Sequence, residues 1–396
     1  MTERLYYTDP YLISFDARIL ASDERNGRFE IALDRTAFYP TSGGQPFDVG
    51  TLGDAVVWDV VDRDDGVIVH VVDRPLRVGD AVSGRVDWTR RFDHMQQHTG
   101  QHVLSAAYDR LYGVRTESFH LGAASATIDL GREVSPEEIR GAEDVANAVV
   151  WDDRPVRVKF AAAEEARALP LRKESLRGGA LRLIEVDDFD LSACGGTHVT
   201  RTGAIGIIAV ASWERFRGGT RVEFLCGGRA LGRFRQWREA LGEARRHLSV
   251  HPGELGAAVE KLQLENKAMQ RSLRGVQEQL AVYEAQALVS RAESIPGRRV
   301  LVEALDGWDA AGLKAMAAAA TATEPTLSIA LFNRAQPIVA VVAAGSGAGV
   351  DASAVLKRLV AAFGGRGGGR RELAQGGGFT APLADLIAAA RAALGN

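Results

Sequence analysis

Residues 94–102 read His94-Met95-Gln96-Gln97-His98-Thr99-Gly100-Gln101-His102, and much further on the chain reads Cys194-Gly195-Gly196-Thr197-His198. His98 and His102 are four residues apart on a stretch, Arg91 to Leu111, that reads as a helix. That spacing puts both imidazoles on one face, with their Cβ atoms about 5–6 Å apart. His94 lies one turn earlier on the same stripe, about 12 Å from His102 at a rise of about 1.5 Å per residue, so the three do not share one ion. The two glycines between Cys194 and His198 make a tight turn that brings a thiol and an imidazole together. His98, His102, Cys194 and His198 therefore form a tetrahedral donor set suited to Zn2+, one ion per chain.

The same residues narrow the chemistry. A zinc peptidase of the His-Glu-x-x-His kind needs a glutamate beside its first histidine, and that place is Thr99. Four protein ligands suggest a closed structural site, whereas a catalytic zinc keeps a position open for water. Two readings stay open: three residues bind metal while the fourth positions substrate, or the ion organises a pocket whose water is activated otherwise.

Outward from this centre the pattern is α+β and multidomain. Strands at 127–130, 156–160, 205–211 and 220–225, with a helix at 136–150, read as an α/β core over 91–230. Upstream, residues 1–90 read as short strands: Phe29, Ile31 and Leu33 alternate, and Val67-Ile68-Val69-His70-Val71-Val72 is β-branched. Frequent Gly, Asp and Pro there fit a small barrel-like domain. Within it lies an unusual loop, Phe38-Tyr39-Pro40-Thr41-Ser42-Gly43-Gly44-Gln45-Pro46.

Downstream, residues 231–295 read as helical. Leu255, Val259, Leu262, Asn266, Met269, Leu273, Val276, Leu280, Tyr283 and Ala287 recur four and three apart. That is a coiled-coil seam, closed either by a second copy, giving a homodimer, or by another helix of the same chain. Residues 296–396 read as an α/β domain whose tail carries a Gly-rich loop, Gly364 to Gly378, with Arg366, Arg370 and Arg371 interleaved. Gly-Lys-Ser/Thr is missing, so this is no mononucleotide P-loop. Glycine with arginine suits backbone brought close to RNA phosphates.

Composition bounds the class. The chain has 396 residues, 46% hydrophobic and 25% charged, with net charge −3 and two cysteines. No apolar run reaches the roughly 18–20 residues of a membrane span. With no disulfide framework and no leader pattern, the expected location is cytoplasmic. Positive charge is local, with six Arg against two Glu between Gly227 and Val250.

The pairing of His98-Thr99-Gly100-Gln101-His102-Val103-Leu104 with Cys194-Gly195-Gly196-Thr197-His198-Val199 resembles the editing domain of alanyl-tRNA synthetase and its freestanding relatives, the AlaX proteins. The loop through Gly43-Gly44-Gln45-Pro46 is similar to the glycine-rich motif preceding that domain, and the Gly-rich tail to the synthetase's C-terminal tRNA-binding domain. Together they look like the long AlaX form. The resemblance implies a trans-editing hydrolase that deacylates alanine tRNA mischarged with serine, or with glycine, without ATP. With no aminoacylation module ahead of this region, charging is not expected. No Asp-His-His triplet supports a phosphoesterase. The resemblance implies metal ligands at His98, His102, Cys194 and His198, and pocket or catalytic roles for Gln101, Ser118, Phe119, His120 and Thr36. It also implies tRNA contacts from Gly43, Gly44, Gln45, Arg366, Gly368, Arg370, Arg371, Gln375 and Gly377. The alternative is a tRNA-binding module whose zinc is purely structural.

Overall fold

The computed structural model describes residues 1–25, 27–172 and 181–395, which fall into two compact units, Met1–Glu243 and Ala244–Asn396. The first unit opens with a closed six-stranded barrel. Its strands run in the order Ser14–Arg25, Arg28–Leu33, Ile68–Val72, Ala55–Asp62, Gly50–Leu52 and Ala81–Val86, the last pairing back to the first. Alternation explains the closure, because Ile31, Leu33, Leu52, Val57, Val60 and Val82 all turn inward onto one core.

That core holds one imidazole. His70 is fully buried, with Nδ1 3.2 Å from the Ile31 carbonyl and Nε2 2.8 Å from the Thr36 hydroxyl. The carbonyl can only accept, so Nδ1 carries the proton and Thr36 donates to Nε2. Burial, partly offset by the Ile31 bond, pulls the His70 pKa from 6.5 to about 4. The unfolded chain thus takes up a proton that the fold refuses. Stability from this site is full above pH ~6.5 and drains away as pH falls towards ~4, a loss of about 3 kcal/mol. Urea unfolding across that window should show this slope, and His70→Gln should flatten it. An equal slope in the variant assigns the proton uptake to another group.

The barrel is joined to the rest of its unit by a buried ion pair. Arg91, at the start of helix α1 (Trp88–Tyr112), reaches Asp48 with both charged groups at most 1% exposed. Its guanidinium also donates to the carbonyls of Pro10 and Ala37, and Asp48 accepts from the Tyr39 backbone N–H. One contact therefore pins the 38–48 loop against α1.

Helix α1 begins at Asp87, whose side chain accepts from the Arg90 N–H, and ends at Gly113 in the left-handed conformation, φ 63°. It packs on an antiparallel sheet ordered Ile208–Phe216, Gly219–Cys226, Ala126–Leu130, Thr116–Leu121. A second antiparallel sheet joins Val156–Ala161, Leu181–Val186 and Asp190–Ala193. The core is thus α+β with antiparallel pairing. An added Cβ on Gly100 would lie 2.3 Å from Cys226 Sγ, so the glycine between the two histidines sets how closely α1 approaches the sheet. The Gly227–Leu248 helix follows the last strand.

In the second unit the Leu255–Arg291 helix, 37 residues long, leads into a six-stranded sheet. Strand alternation splits the core: Val300, Val302, Ala330 and Phe332 face the Ala352–Phe363 and Leu383–Gly395 helices. Leu301, Ile329 and Leu331 face the Ala310–Thr323 helix and the last turns of the long one. The expected seam is not what that helix buries here. Ala281, Ala285 and Leu288 are inside, while Met269 and Tyr283 stay 69% and 75% exposed.

The expected Gly-rich loop is instead a pair of strands, Arg366–Gly369 and Leu373–Gly377, antiparallel at the sheet edge. Glycine permits it, because a Cβ on Gly369 would lie 2.3 Å from the Ala374 Cα. Arg366, Gly368, Arg370, Arg371 and Gln375 are exposed, and Gly377 is partly so. No described helix is long and apolar enough to cross a membrane.

Candidate metal centre

Helical spacing on α1 and the Cys-Gly-Gly-Thr-His turn bring four donors together. One ligand atom each from His98, His102, Cys194 and His198 lies within 4.8 Å of every other. The three imidazoles are close, with ring centroids 4.5 Å apart for His98–His198 and 4.7 Å for His102–His198. Cys194 Sγ is 3.4 Å from Nε2 of both His98 and His198.

Each ring's far nitrogen is held from behind. Nδ1 of His102 is 2.9 Å from the Asp190 carboxylate, Nδ1 of His98 is 2.8 Å from Gln45 Oε1, and Nδ1 of His198 is 3.2 Å from the Thr99 hydroxyl. Held in this way, imidazoles offer Nε2 to an ion at the centre. Asp190 is in turn fixed by Arg172, 2.6 Å away, and by Ser192. A soft thiolate with three imidazole nitrogens is a donor set that fits zinc.

The electrostatics agree. Burial opposes charge on Cys194, yet the neighbouring histidines hold its thiol well below the usual range, towards thiolate. Burial drives His198 down to about 3, keeping it neutral. His102 also feels burial, but its bonds to Asp190 and Cys194 outweigh that and raise it to about 9. Burial resists ionisation of Asp190 too, and His102 and Arg172 overcome it, so the carboxylate stays charged. A metal ion must therefore displace a proton at His102, and its affinity falls with falling pH.

His94 is outside the group. It is buried, with Nδ1 unpartnered, and burial together with Arg90, Arg229 and Arg91 lowers it to about 3.

The other sequence candidates fall in different places. Gln101 is buried and donates to Ser105 Oγ at 2.9 Å, and Ser105 also receives the Thr116 hydroxyl. The Phe119 ring lies 5.2 Å from that of His98. Strand alternation then turns Ser118 and His120 to the opposite, exposed face, where Ser118 donates to Asp129 at 2.6 Å. Thr36 is committed inside the barrel to His70 and to the Phe38 N–H. Gln45, expected to face tRNA, is instead fully buried against His98 and Thr197. Gly43 is exposed and Gly44 lies against the Phe119 backbone.

Sequence reasoning missed Asp190, Thr99 and Gln97. Gln97 bonds both the N–H and the carbonyl of Cys226, fastening α1 to the strand end. Gln97 and Thr99 lie within the histidine stretch and Asp190 in no pattern at all, and only the fold gives the three their partners.

Three family descriptions match the chain: "tRNA synthetases class II (A)" over residues 10–90, "Threonyl and Alanyl tRNA synthetase second additional domain" over 181–223, and "DHHA1 domain" over 297–396. With a barrel, an antiparallel core and a buried His3Cys centre, they define a protein of the alanyl-tRNA editing class. The chain is 30% identical over 387 residues to the alanyl-tRNA editing protein AlaX-L of Pyrococcus horikoshii, covering 95% of this chain and 94% of that one. It belongs to the family of that protein. It is also 33% identical over 393 residues to an alanine–tRNA ligase of Pyrococcus abyssi, covering 95% of this chain but only 42% of the ligase. The chain thus spans about two fifths of the length of such ligases. The C-Ala domain of Aquifex aeolicus alanyl-tRNA synthetase is similar over 27% of this chain and 99% of its own, with 19% identity and a TM-score of 0.25.

Proposed function

We propose that this protein is a trans-editing hydrolase that cleaves the ester joining serine, and by the same chemistry glycine, to the terminal ribose of alanine tRNA. The observation that carries the reading is the buried group of His98, His102, Cys194 and His198 in a chain of the AlaX-L family. Those four would hold one zinc ion, which when bound supplies positive charge for an ester carbonyl or a polar side chain of the aminoacyl group. Phe119 gives the place an apolar wall beside His98, while Gln101, Ser105 and Thr116 form a hydrogen-bonded run able to greet a hydroxyl. A polar pocket has work to do here. A site shaped for alanine rejects an added hydroxyl or a missing methylene by only about 1–3 kcal/mol.

In this reading the exposed Arg366, Gly368, Arg370, Arg371, Gln375 and Gly377 of the glycine strands grip tRNA phosphates, helped by the Gly43 turn. In the same reading a second copy covers the exposed seam of the long helix. A second reading, a tRNA-binding module with structural zinc, is favoured by the four-donor closure itself.

Deacylation of serylated, glycylated and alanylated tRNA separates the two. Serine should be released far faster than alanine. No release, with tRNA still bound, establishes the binding module instead, and equal release of all three leaves a general esterase. Replacing Arg366, Arg370 and Arg371 with Ala should weaken tRNA binding and reduce the salt slope by about one for each phosphate that is no longer neutralised.

A further inference from the structure

Of the three groups behind the imidazoles, Gln45 alone comes from the barrel loop. Its Oε1 lies 2.8 Å from His98 Nδ1 and 3.1 Å from the Thr197 backbone nitrogen, and its Nε2 is 2.8 Å from the Thr197 hydroxyl. A backbone N–H can only donate. Thr197 therefore fixes which end of the amide is oxygen, and flipping the amide would set its NH2 against that N–H. Because the oxygen faces His98 as well, Nδ1 of that ring must carry the proton. In the neutral ring Nε2 is then the bare nitrogen, 3.4 Å from Cys194 Sγ.

The backbone on both sides is cleared for this contact. Gly44 has φ +84°, and a Cβ there would lie 2.7 Å from the Phe119 carbonyl oxygen. A Cβ on Gly196 would lie 2.1 Å from His98 Cε1 and 3.1 Å from Gln45 Oε1. Neither neighbour of the amide tolerates a side chain, and Gln45 itself is fully buried.

We propose that Gln45 is a positioning residue of the metal centre: oriented by the Thr197 N–H, it locks His98 in the Nδ1–H tautomer, so that the barrel loop presents His98 Nε2 to the ion. The inference rests on the metal reading of the four donors. It makes the barrel a working part of the centre, since the loop that Asp48 and Arg91 pin is the loop that reaches His98.

The test uses the full chain labelled with 15N-histidine. In chelator-treated wild type near neutral pH, long-range 1H–15N correlations should show His98 protonated at Nδ1 and bare at Nε2. Gln45→Met keeps the length but removes the acceptor, and should populate the Nε2–H form and weaken Zn2+ binding by about 10–100-fold in competition with a chromophoric chelator. Gln45→Glu restores an acceptor, and should return both the tautomer and most of the affinity. Wild-type His98 bare at Nδ1 overturns the proposal, even if the Met variant fails to fold. An unchanged tautomer and zinc affinity in a folded Gln45→Met protein overturns it too. A wild-type chain that binds no zinc removes the metal reading and the positioning role with it. That outcome is distinct from a chain that binds zinc with His98 in the other tautomer.

Discussion

Cys194→Ala is expected to strip the chain of zinc, from about one ion to almost none at micromolar metal, and to abolish deacylation with it. Three imidazoles remain in the variant, but the only anionic ligand is gone. It is the thiol, drawn towards thiolate by the neighbouring histidines together, that would offset the ion's charge in this site. The loss should exceed the roughly 100-fold at the upper end for removing an outer partner. His94→Ala is the control. Its ring lies outside the donor group, so zinc should stay. Metal analysis of the two purified variants decides the matter, and full zinc in Cys194→Ala removes the thiol from the ligand set.

The largest effect on stability is expected at Asp48. Replacing it with Ala leaves the Arg91 guanidinium charged and buried with only the Pro10 and Ala37 carbonyls for company. Breaking a buried pair from one side costs about 3–5 kcal/mol. In a unit of this size that lowers Tm by about 6–20 °C, at about 2–4 °C for each kcal/mol. Asp48→Asn keeps an acceptor for the Tyr39 N–H and for Arg91, and should lose less. Calorimetry of both variants reads the difference. Equal and small losses would show that the guanidinium finds water or another carbonyl at no great cost.

Much of the centre is legible in the sequence because its strongest signals are local. His98 and His102 are one helical turn apart, and Cys194 and His198 are one glycine turn apart. Joining the two pairs needs only the observation that neither is complete alone. The helix at 91–111, the helix at 136–150 and the strands at 156–160 and 220–225 all lie within a few residues of their places in the fold.

What escapes the sequence has a common cause. The partners behind the rings, Gln45 and Asp190, are 53 and 88 residues from the histidines they hold, and no periodicity spans such distances. Only neighbourhood points to Ser118 and His120. In a strand a shift of one residue reverses the face, so the one inward position of that trio is Phe119. The Gly-rich tail reads as a loop because glycine has poor strand propensity. Yet pairing uses only backbone groups, and at Gly369 a side chain would have prevented it.

The distance between the two halves of the centre also sets an order of events during synthesis. His98 leaves the ribosome 96 residues before Cys194. At about 5–20 residues per second the histidine pair exists for about 5–20 s without its thiol. Two imidazoles alone hold divalent ions weakly and in the general order of ligand affinity, with copper ahead of zinc. If the centre takes up its metal in this way, choice among metals would be deferred until the Cys194–His198 turn has emerged. An ion that arrived early would then be only a visitor, and the one that stays would be chosen by the complete set of four donors.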